Sequence, residues 1–286
     1  TVFGEKVVIR LLTKDSSLIN IEKLGFSENN LNRFKNLIER PHGILLVTGP
    51  TGSGKSTTLS AALNYLNSPE KNIITIEDPV EYQLHGINQV QANPQVGLDF
   101  ASALRSILRQ DPDIVMVGEI RDEETARIAI RAALTGHLVL STLHTNDAVS
   151  SITRLVDMGI EPYLVASTVI GVVAQRLIRR VCGSCKERHE PSPDEMVLLG
   201  EIEEKDRFYR AVGCSKCNST GYRGRIAVHE VLVVDDKVKE LIVRGANEPE
   251  IKDYCIKSGM TSLVQDGIYK YKEGITTYEE LVRVLV

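Results

Sequence analysis

Short apolar runs alternate with helix-length segments along the first half of this 286-residue chain. Four such runs lie at residues 44–47, 73–76, 114–117 and 138–140, and they contain almost no polar position. Runs of this length without polar alternation are typical of strands that are covered on both faces of a parallel sheet. The pattern therefore predicts an α/β fold with a mostly parallel sheet and right-handed helical crossovers.

The flanking segments predict further elements. Residues 1–12 have the pattern of a strand, and residues 27–40 are predicted to form a helix because their apolar side chains fall on one face. Near the other end of the chain, we expect a strand at about residues 226–234. Three or four short helices should follow it and form a helical C-terminal region.

The apolar stretch at residues 164–174 is the best candidate for a membrane span, but it is interrupted by Ser167, Thr168 and Gly171. It is also well short of the roughly 20 residues that a span needs, so we predict no transmembrane segment. The chain opens on Thr1 and shows no signal peptide. A start without Met, inside a strand pattern, indicates a fragment of a longer protein.

The composition is ordinary for a soluble globular protein, with 42% hydrophobic and 25% charged residues. The formal net charge is only −4, so the charge balance gives no indication of a nucleic-acid partner. Composition alone therefore sets no chemistry, and the candidate function depends on motifs.

A phosphate-binding loop follows the first apolar run. Its residues match the G-x-x-x-x-G-K-[ST] pattern, and they are Gly49, Pro50, Thr51, Gly52, Ser53, Gly54, Lys55, Ser56 and Thr57. Glycines allow the backbone N–H groups to turn toward phosphate oxygens, and the helix that begins near Lys55 adds a positive dipole end. We expect Lys55 to reach the β- and γ-phosphates of ATP and Ser56 to bind Mg²⁺.

Polar residues follow the other three runs. They are Glu77, Asp78, Pro79 and Glu81 after the second, Gly118 and Glu119 after the third, and Thr142 and His144 after the fourth. In an open parallel sheet these positions converge at one edge, where ligands bind. The set suits a nucleotide hydrolase, which needs Mg²⁺ ligation, a carboxylate for water and a polar sensor of the phosphate. His137, at the opposite end of the fourth run, is expected to hold the strand or to contact a neighbour.

Three arginines lie close to these segments. Arg105 and Arg109 are four residues apart on a predicted helix and so share a face, and Arg121 lies just beyond Glu119. Each of them is either a surface charge or the partner of a carboxylate, or else a group that stabilises the transition state of phosphoryl transfer, and the sequence leaves these interpretations open.

Four of the five cysteines form two Cys-x-x-Cys pairs, Cys182 with Cys185 and Cys214 with Cys217. Four thiolates favour structural Zn²⁺ over redox thiols or disulfides, since the chain offers neither a thioredoxin-like context nor signs of an oxidising compartment. We expect this insert to lie away from the carboxyl ends of the strands and to contain too few apolar residues to fold by burial alone. Cys255 is expected to be a core residue.

The motifs together resemble the secretion-superfamily ATPases that power type II secretion and type IV pilus assembly. The resemblance covers essentially the whole chain. It rests on the Walker A segment GPTGSGKSTT, on the segments ITIEDPVEY, LRQDPDIVMVGEIRD and TGHLVLSTLHTNDA, and on the paired cysteines followed by GYRGRIAVHE.

This resemblance implies a RecA-like P-loop core that works as a homo-hexameric ring in the cytoplasm. It further implies docking at the inner membrane on the cytoplasmic domains of secretion or pilus platform proteins. Retraction motors of the family usually lack the four-cysteine insert, so its presence indicates secretion or pilus extension without deciding between them.

For individual residues, the resemblance implies that Glu81 and Glu119 are the key carboxylates. We interpret Glu81 as the base and Glu119 as part of the Mg²⁺–water shell, and these two roles are interchangeable at this stage. Arg105 and Arg109 belong to the region of the nucleotide site. Arg10 is interpreted as an arginine that a preceding N-terminal domain contributes to that site.

The expected domain organisation has four parts. Residues 1–40 end a truncated N-terminal domain and add a linker helix, and residues 41–180 form the ATPase core. Residues 181–225 form the zinc module, and residues 226–286 the C-terminal region. The alternatives are a RecA-class nucleic-acid translocase, a conjugation-type ATPase, and a scaffold that binds ATP without hydrolysing it.

Overall fold

The computed structural model describes residues 2–9 and 20–286. Within these residues, seven strands form the main sheet and two form a small separate one. The main sheet contains β1 (Gly43–Thr48), β2 (Ile73–Glu77), β3 (Asn88–Gln91), β4 (Ile114–Val117), β5 (Leu138–Leu143), β6 (Val169–Val181) and β9 (Tyr222–Val233), and the small sheet contains β7 (Lys186–Arg188) and β8 (Tyr209–Ala211).

Eleven α-helices are present in the same described part of the chain. They are α1 (Glu28–Ile38), α2 (Lys55–Leu66), α3 (Phe100–Ile107), α4 (Glu123–Leu134), α5 (Ala148–Asp157), α6 (Pro162–Thr168), α7 (Pro193–Leu199), α8 (Asp236–Arg244), α9 (Glu248–Lys257), α10 (Leu263–Lys272) and α11 (Tyr278–Leu285). Several begin at a side chain that caps the first backbone N–H groups, as Asp99 caps α3 and Asp147 caps α5. Among the residues described, no helix combines the length and apolar character needed to cross a bilayer.

The main sheet has the order β3-β2-β4-β5-β1-β6-β9, and every pairing in it is parallel except that of β6 with β9. All four predicted runs are strands, and every residue of β1, β2, β4 and β5 is buried. Two apolar clusters cover the two faces of the sheet. This confirms the predicted α/β fold. The parallel pairing brings the carboxyl ends of β1, β2, β4 and β5 to one edge of the sheet.

The predicted N-terminal strand is wrong for the part of it that is described. Residues 2–9 form turns and irregular backbone, and apolar side chains such as Phe3 and Val8 are exposed. The segment is not hydrogen-bonded into either sheet, and an apolar run without a neighbouring strand buries nothing. The helix predicted at 27–40 is confirmed as α1, the late strand is confirmed as β9, and four helices follow it.

Strand β6 was not predicted, and it changes where the cysteine insert lies. It runs parallel to β1 until Ala174 lies opposite Thr48. Residues 175–181 then continue beyond β1, paired with β9, which carries the chain about 23 Å past the carboxyl edge of the sheet. The insert therefore begins on the same side of the sheet as the phosphate-binding loop, but well beyond the carboxyl ends of the strands, so the cysteines do not lie at the phosphate-binding loop itself.

A buried ion pair in α10 gives a prediction for stability. Lys270 and Asp266 pair within the helix with side chains only 3% and 1% exposed, and Asp266 also accepts the backbone N–H of His229 at 2.8 Å. Lys270→Met should lower the free energy of unfolding by about 3–5 kcal/mol, because it leaves a buried carboxylate without its cation. Urea unfolding checks this.

Lys257→Met is the matched control, since Lys257 forms an exposed pair of the same spacing with Asp253. This variant should lower the free energy of unfolding by less than about 0.5 kcal/mol. Equal losses in both variants would contradict the prediction.

Candidate nucleotide site and cysteine cluster

The phosphate-binding loop connects β1 to α2 and depends on three glycines in left-handed backbone conformations. Gly49, Gly52 and Gly54 have φ angles of 142°, 79° and 91°. A Cβ on Gly49 would lie 2.3 Å from the carbonyl oxygen of Gln175, so no other residue fits there without a shift of the backbone. The loop thus has the tight, glycine-dependent geometry that the motif predicts.

Lys55 folds back over this loop. Its Nζ donates to the carbonyl oxygens of Gly49 at 2.8 Å and Pro50 at 3.2 Å. Burial lowers the pKa of Lys55, and the nearby charge of Glu119 opposes that shift. Ser56 is exposed at the start of α2, and its hydroxyl makes no hydrogen bond to a described residue. The loop therefore presents a cation whose charge interacts with that of Glu119, together with an exposed hydroxyl at the start of α2.

Gln175 of β6 stabilises the phosphate-binding loop through two side-chain hydrogen bonds, and the sequence analysis did not identify it. Its side chain is 1% exposed and donates through Nε2 to the carbonyl oxygen of Ser53 at 2.7 Å. Its Oε1 accepts from Thr58 Oγ1 at 2.8 Å, which links the loop to α2. The available signal was a glutamine placed directly after the apolar residues 169–174 of β6.

Glu119 follows β4 and is held by two cationic or polar partners. Arg121 donates to Glu119 Oε1 at 2.5 Å, and His144 Nε2 lies 3.3 Å from Glu119 Oε2. The hydrogen bond from Arg121 is the main cause that lowers the pKa of Glu119, so the carboxylate stays ionised near neutral pH. The structure thus brings together Lys55, Glu119 and His144 at the edge where the strand-end argument expected them.

Other strand-end residues tie neighbouring strands together. Thr142 Oγ1 donates to the carbonyl oxygen of Gly118 at 2.7 Å. The N–H of Gly118 donates in turn to the carbonyl oxygen of Ile76 at 2.8 Å. Glu77 is buried, and its Oε1 accepts hydrogen bonds from Thr75 and Gln89. Glu77 therefore supports the edge of the sheet and does not face the phosphate-binding loop as a free carboxylate.

Glu81 lies in the exposed loop between β2 and β3. It forms no hydrogen bond or ion pair with a described residue. Its neighbour Tyr82 places the loop, because the Tyr82 hydroxyl lies 3.3 Å from Thr57 Oγ1 at the end of the Walker A segment. The loop is thus next to the nucleotide site, but Glu81 is not joined to Glu119 or Lys55.

The predicted arginine pair is not brought together. Helix α3 ends at Ile107, and Asp111 has a φ of 50° just before Pro112, so Arg109 lies in a turn and does not share a helix face with Arg105. A residue before proline is disfavoured in helical backbone, which explains the early end. Arg105 forms an ion pair with Glu124 of α4.

The remaining predicted residues are Arg10 and His137. Arg10 lies outside the described residues, so its predicted role stays a prediction. His137 lies before β5, and its Nδ1 is 2.8 Å from the carbonyl oxygen of Ala132. Its own carbonyl oxygen accepts the N–H of Gly43. His137 therefore holds the amino-terminal ends of β1 and β5 and is remote from the phosphate-binding loop.

The four paired cysteines converge. The sulfur atoms of Cys182, Cys185, Cys214 and Cys217 all lie within 4.8 Å of one another, with close pairs at 3.8–4.0 Å and no disulfide among them. Burial raises the pKa of the Cys217 thiol, but backbone N–H groups of Cys214 and Gly221 outweigh it and bring the pKa to about 6. Burial raises the pKa of Cys185 to about 12. The N–H groups of Cys214 and Gly221 therefore favour the thiolate form of Cys217, which is the form that binds a metal.

The segment around the cysteines packs on the body of the protein more than the sequence suggested. Leu199 and Phe208 are 5% and 6% exposed and join the main core, and the Phe208 ring meets that of Tyr271 edge to face at 5.0 Å. The expectation that this insert cannot fold by burial is therefore wrong for its α7–β8 part. Cys255 is buried in the core as predicted, and burial raises the pKa of its thiol to about 11.

Comparison with known proteins places the whole chain in one group. The sequence model of the Type II/IV secretion system protein family matches residues 1–283. The type IV pilus assembly ATPase PilB of Thermus thermophilus is 55% identical over 285 residues, which is 99% of this chain and 32% of that protein. The type II secretion system ATPase E of Vibrio cholerae is 54% identical over 282 residues, which is 98% of this chain and 56% of that protein.

Solved structures agree with this placement. The pilus retraction motor PilT, with ADP bound, superposes with a TM-score of 0.69 at 31% identity, over 92% of this chain and 66% of that chain. The ATPase DotB of Legionella pneumophila has the same fold, with a TM-score of 0.67. The chain spans about a third of the Thermus relative and about half of the Vibrio relative. Since the family match extends over nearly all of its residues, the chain belongs to the Type II/IV secretion system protein family.

Proposed function

We propose that this chain is the ATP-hydrolysing part of a motor that powers type II protein secretion or type IV pilus assembly. The names of its relatives support the class of work, and one observation supports the chemistry. Lys55 lies on the carbonyl oxygens of a glycine-dependent phosphate-binding loop, and the charge of an ionised Glu119 is close enough to act on its pKa. A cation for the phosphates beside a carboxylate for metal or water is the minimum that phosphoryl transfer to water requires.

The proposed roles follow from these positions. Lys55 binds the β- and γ-phosphates, the backbone N–H groups of residues 49–57 surround them, and the Ser56 hydroxyl binds Mg²⁺, which neutralises charge on the phosphates. Glu119 takes part in the Mg²⁺–water shell, and His144 senses the γ-phosphate through its contact with Glu119.

Glu81 is proposed as the base that receives the proton of the attacking water. Its exposure and its lack of a partner among the described residues leave the carboxylate available, and the contact of Tyr82 with Thr57 keeps its loop close. Arg10, Arg105 and Arg109 remain proposed sources of positive charge for the transition state. For Arg105 this requires that it leave Glu124 when nucleotide is bound.

The larger assembly is also a proposal. We propose a homo-hexamer in the cytoplasm, docked at the inner membrane on the cytoplasmic domains of platform proteins. Within the chain, residues 41–180 would form the ATPase core, residues 181–225 the zinc module and residues 226–286 the C-terminal region, with residues 1–40 completing a preceding domain. Neither the net charge nor the nucleotide site offers a feature that favours nucleic acid.

Genetics in the source organism tests this proposed function. An allele carrying Lys55→Ala should abolish either the secretion of extracellular proteins or the assembly of surface pili, and which of the two is lost assigns the motor. An allele carrying Lys71→Ala should leave both intact, because Lys71 is exposed ahead of β2, at the opposite edge of the sheet. Normal secretion and normal pili with the Lys55 allele would overturn the proposal.

We propose that the four cysteines bind one structural Zn²⁺. A tetrahedral site with Zn–S distances of about 2.3 Å places its sulfur atoms about 3.8 Å apart, and the close pairs here lie at 3.8–4.0 Å. The N–H groups that donate to Cys185 and Cys217 at 3.1–3.3 Å are the kind of second-shell contact that stabilises thiolate ligands. With four protein ligands, no coordination position is left for substrate.

Elemental analysis of the purified chain should find one zinc per chain. Serine at Cys182, Cys185, Cys214 or Cys217 should reduce zinc content and lower solubility or impair work with partners, while ATP still binds, because the cluster lies beyond the end of β6. Cys255→Ala is the matched control, since it removes the remaining thiol and should keep the zinc. Four free thiols without zinc under reducing conditions, or a disulfide between the pairs, would contradict this proposal.

A further inference from the structure

Glu230 is a buried carboxylate that lies between the first residues of two helices. It belongs to β9, within the GYRGRIAVHE segment, and is 1% exposed. Its Oε1 accepts the backbone N–H of Ala148, the first residue of α5, at 2.9 Å. The backbone N–H of Leu263, the first residue of α10, also points toward this carboxylate and favours its ionised form, whereas burial raises the pKa of Glu230. A carboxylate in this position interacts favourably with the positive ends of both helices.

The start of α5 is fixed to the nucleotide site by residues 144–147, here called the histidine turn. The N–H of Thr145 donates to Thr48 Oγ1 at 2.9 Å, and Thr48 immediately precedes the phosphate-binding loop. At the same turn, His144 reaches Glu119 at 3.3 Å. The histidine turn therefore joins the end of β1 to the carboxylate proposed for catalysis.

The other end of the histidine turn is held by the C-terminal region. Asp147 accepts the N–H of Ser150 and thereby caps α5, and Lys252 of α9 forms an ion pair with Asp147 at 3.0 Å. Glu230 holds the same turn a second time, through its hydrogen bond from Ala148. Its carboxylate also lies near Leu263 at the start of α10. Two helices of the C-terminal region thus act on one turn at the nucleotide site.

We propose that Glu230 is a positioning residue that sets His144 against Glu119 and couples helices α9 and α10 to nucleotide hydrolysis. A buried acceptor that faces two helix starts resists a shift of either one, because the Ala148 N–H would lose its hydrogen bond and the start of α10 would lose a nearby carboxylate. A partner that displaces α9 or α10 would therefore move His144 relative to Glu119. The effect on turnover rests on the function proposed above, whereas the effect on the position of His144 does not.

The test is Glu230→Gln in the assembled protein, with two readouts. The kcat for ATP should fall on the order of 10- to 100-fold with little change in nucleotide affinity, because the reacting groups are misplaced while the phosphate-binding loop is intact. The side-chain NMR resonance of His144 should shift, and it can be assigned among the six histidines with His144→Gln. Glu280→Gln is the matched control, since Glu280 is an equally buried carboxylate that accepts a backbone N–H but lies in α11. It should leave the His144 resonance and kcat unchanged.

Lys252→Met tests the same coupling from the partly exposed side of α9, where loss of folding is not expected. It should shift the His144 resonance in the same direction, including where Glu230→Gln proves too unstable to study. An unmoved His144 resonance in the folded variants would overturn the proposal. If the wild-type protein released no phosphate from ATP, the hydrolase proposal would fail, and the resonance would still decide the role of Glu230.

Discussion

Alanine in place of Lys55 should abolish ATP hydrolysis and weaken nucleotide binding. Lys55 provides the point charge of the phosphate-binding loop, and its Nζ already lies on the carbonyl oxygens of Gly49 and Pro50 at the mouth of that loop. Loss of one preorganised donor to a charged transition state costs on the order of 10³-fold in rate. Phosphate release by the assembled protein measures the rate, and a fluorescent nucleotide analogue measures binding.

The purified Lys71→Ala protein controls for the loss of a lysine as such. Lys71 is exposed and lies before β2, so both its rate and its nucleotide affinity should match the wild type. A Lys55→Ala protein that hydrolyses ATP at the normal rate would show that the loop serves another purpose.

Glutamine in place of Glu119 should permit ATP binding and stop turnover. The substitution keeps the shape of the side chain but removes the charge that Arg121 holds in the ionised form. The carboxylate is proposed to act only on the Mg²⁺–water shell, so the expected loss is in kcat, on the order of 10²- to 10³-fold, and not in affinity. Glu81→Gln should also slow turnover severely if Glu81 is the base.

Single-turnover kinetics, with the protein in saturating excess over ATP, separates these effects from binding. Glu70 is an exposed carboxylate that precedes β2 and is remote from the carboxyl ends of the strands. The Glu70→Gln variant should therefore behave as the wild type. Normal turnover in both the Glu119 and the Glu81 variants would remove the model in which two carboxylates act on the reaction.

The sheet and the phosphate-binding loop could be predicted because their signals are local. An apolar run such as residues 114–117 stays buried in any parallel sheet, and the glycine positions of the loop follow from the backbone that phosphate binding needs. The convergence of Glu119 and His144 followed from a rule of topology and needed no knowledge of packing. The Cys-x-x-Cys spacing likewise fixes two ligands of each pair within one turn of chain.

The remaining features depend on partners far away in the sequence. Gln175 braces Ser53 across 122 residues and Glu230 reaches Ala148 across 82, and no local pattern indicates such a partner. The partner of Arg105 could not be identified for the same reason, because its ion pair with Glu124 joins two helices. For Arg109 the local signal was present, since Pro112 ends the helical backbone early, but helical spacing was given more weight than the proline.

The most direct test of ATP hydrolysis by this chain is phosphate release from Mg²⁺–ATP by the assembled wild-type protein, measured with and without added DNA or RNA. We expect steady release that requires Mg²⁺, is lost in Lys55→Ala and is unchanged by nucleic acid. ATP that is bound but not hydrolysed, or release that occurs only with nucleic acid, would contradict it.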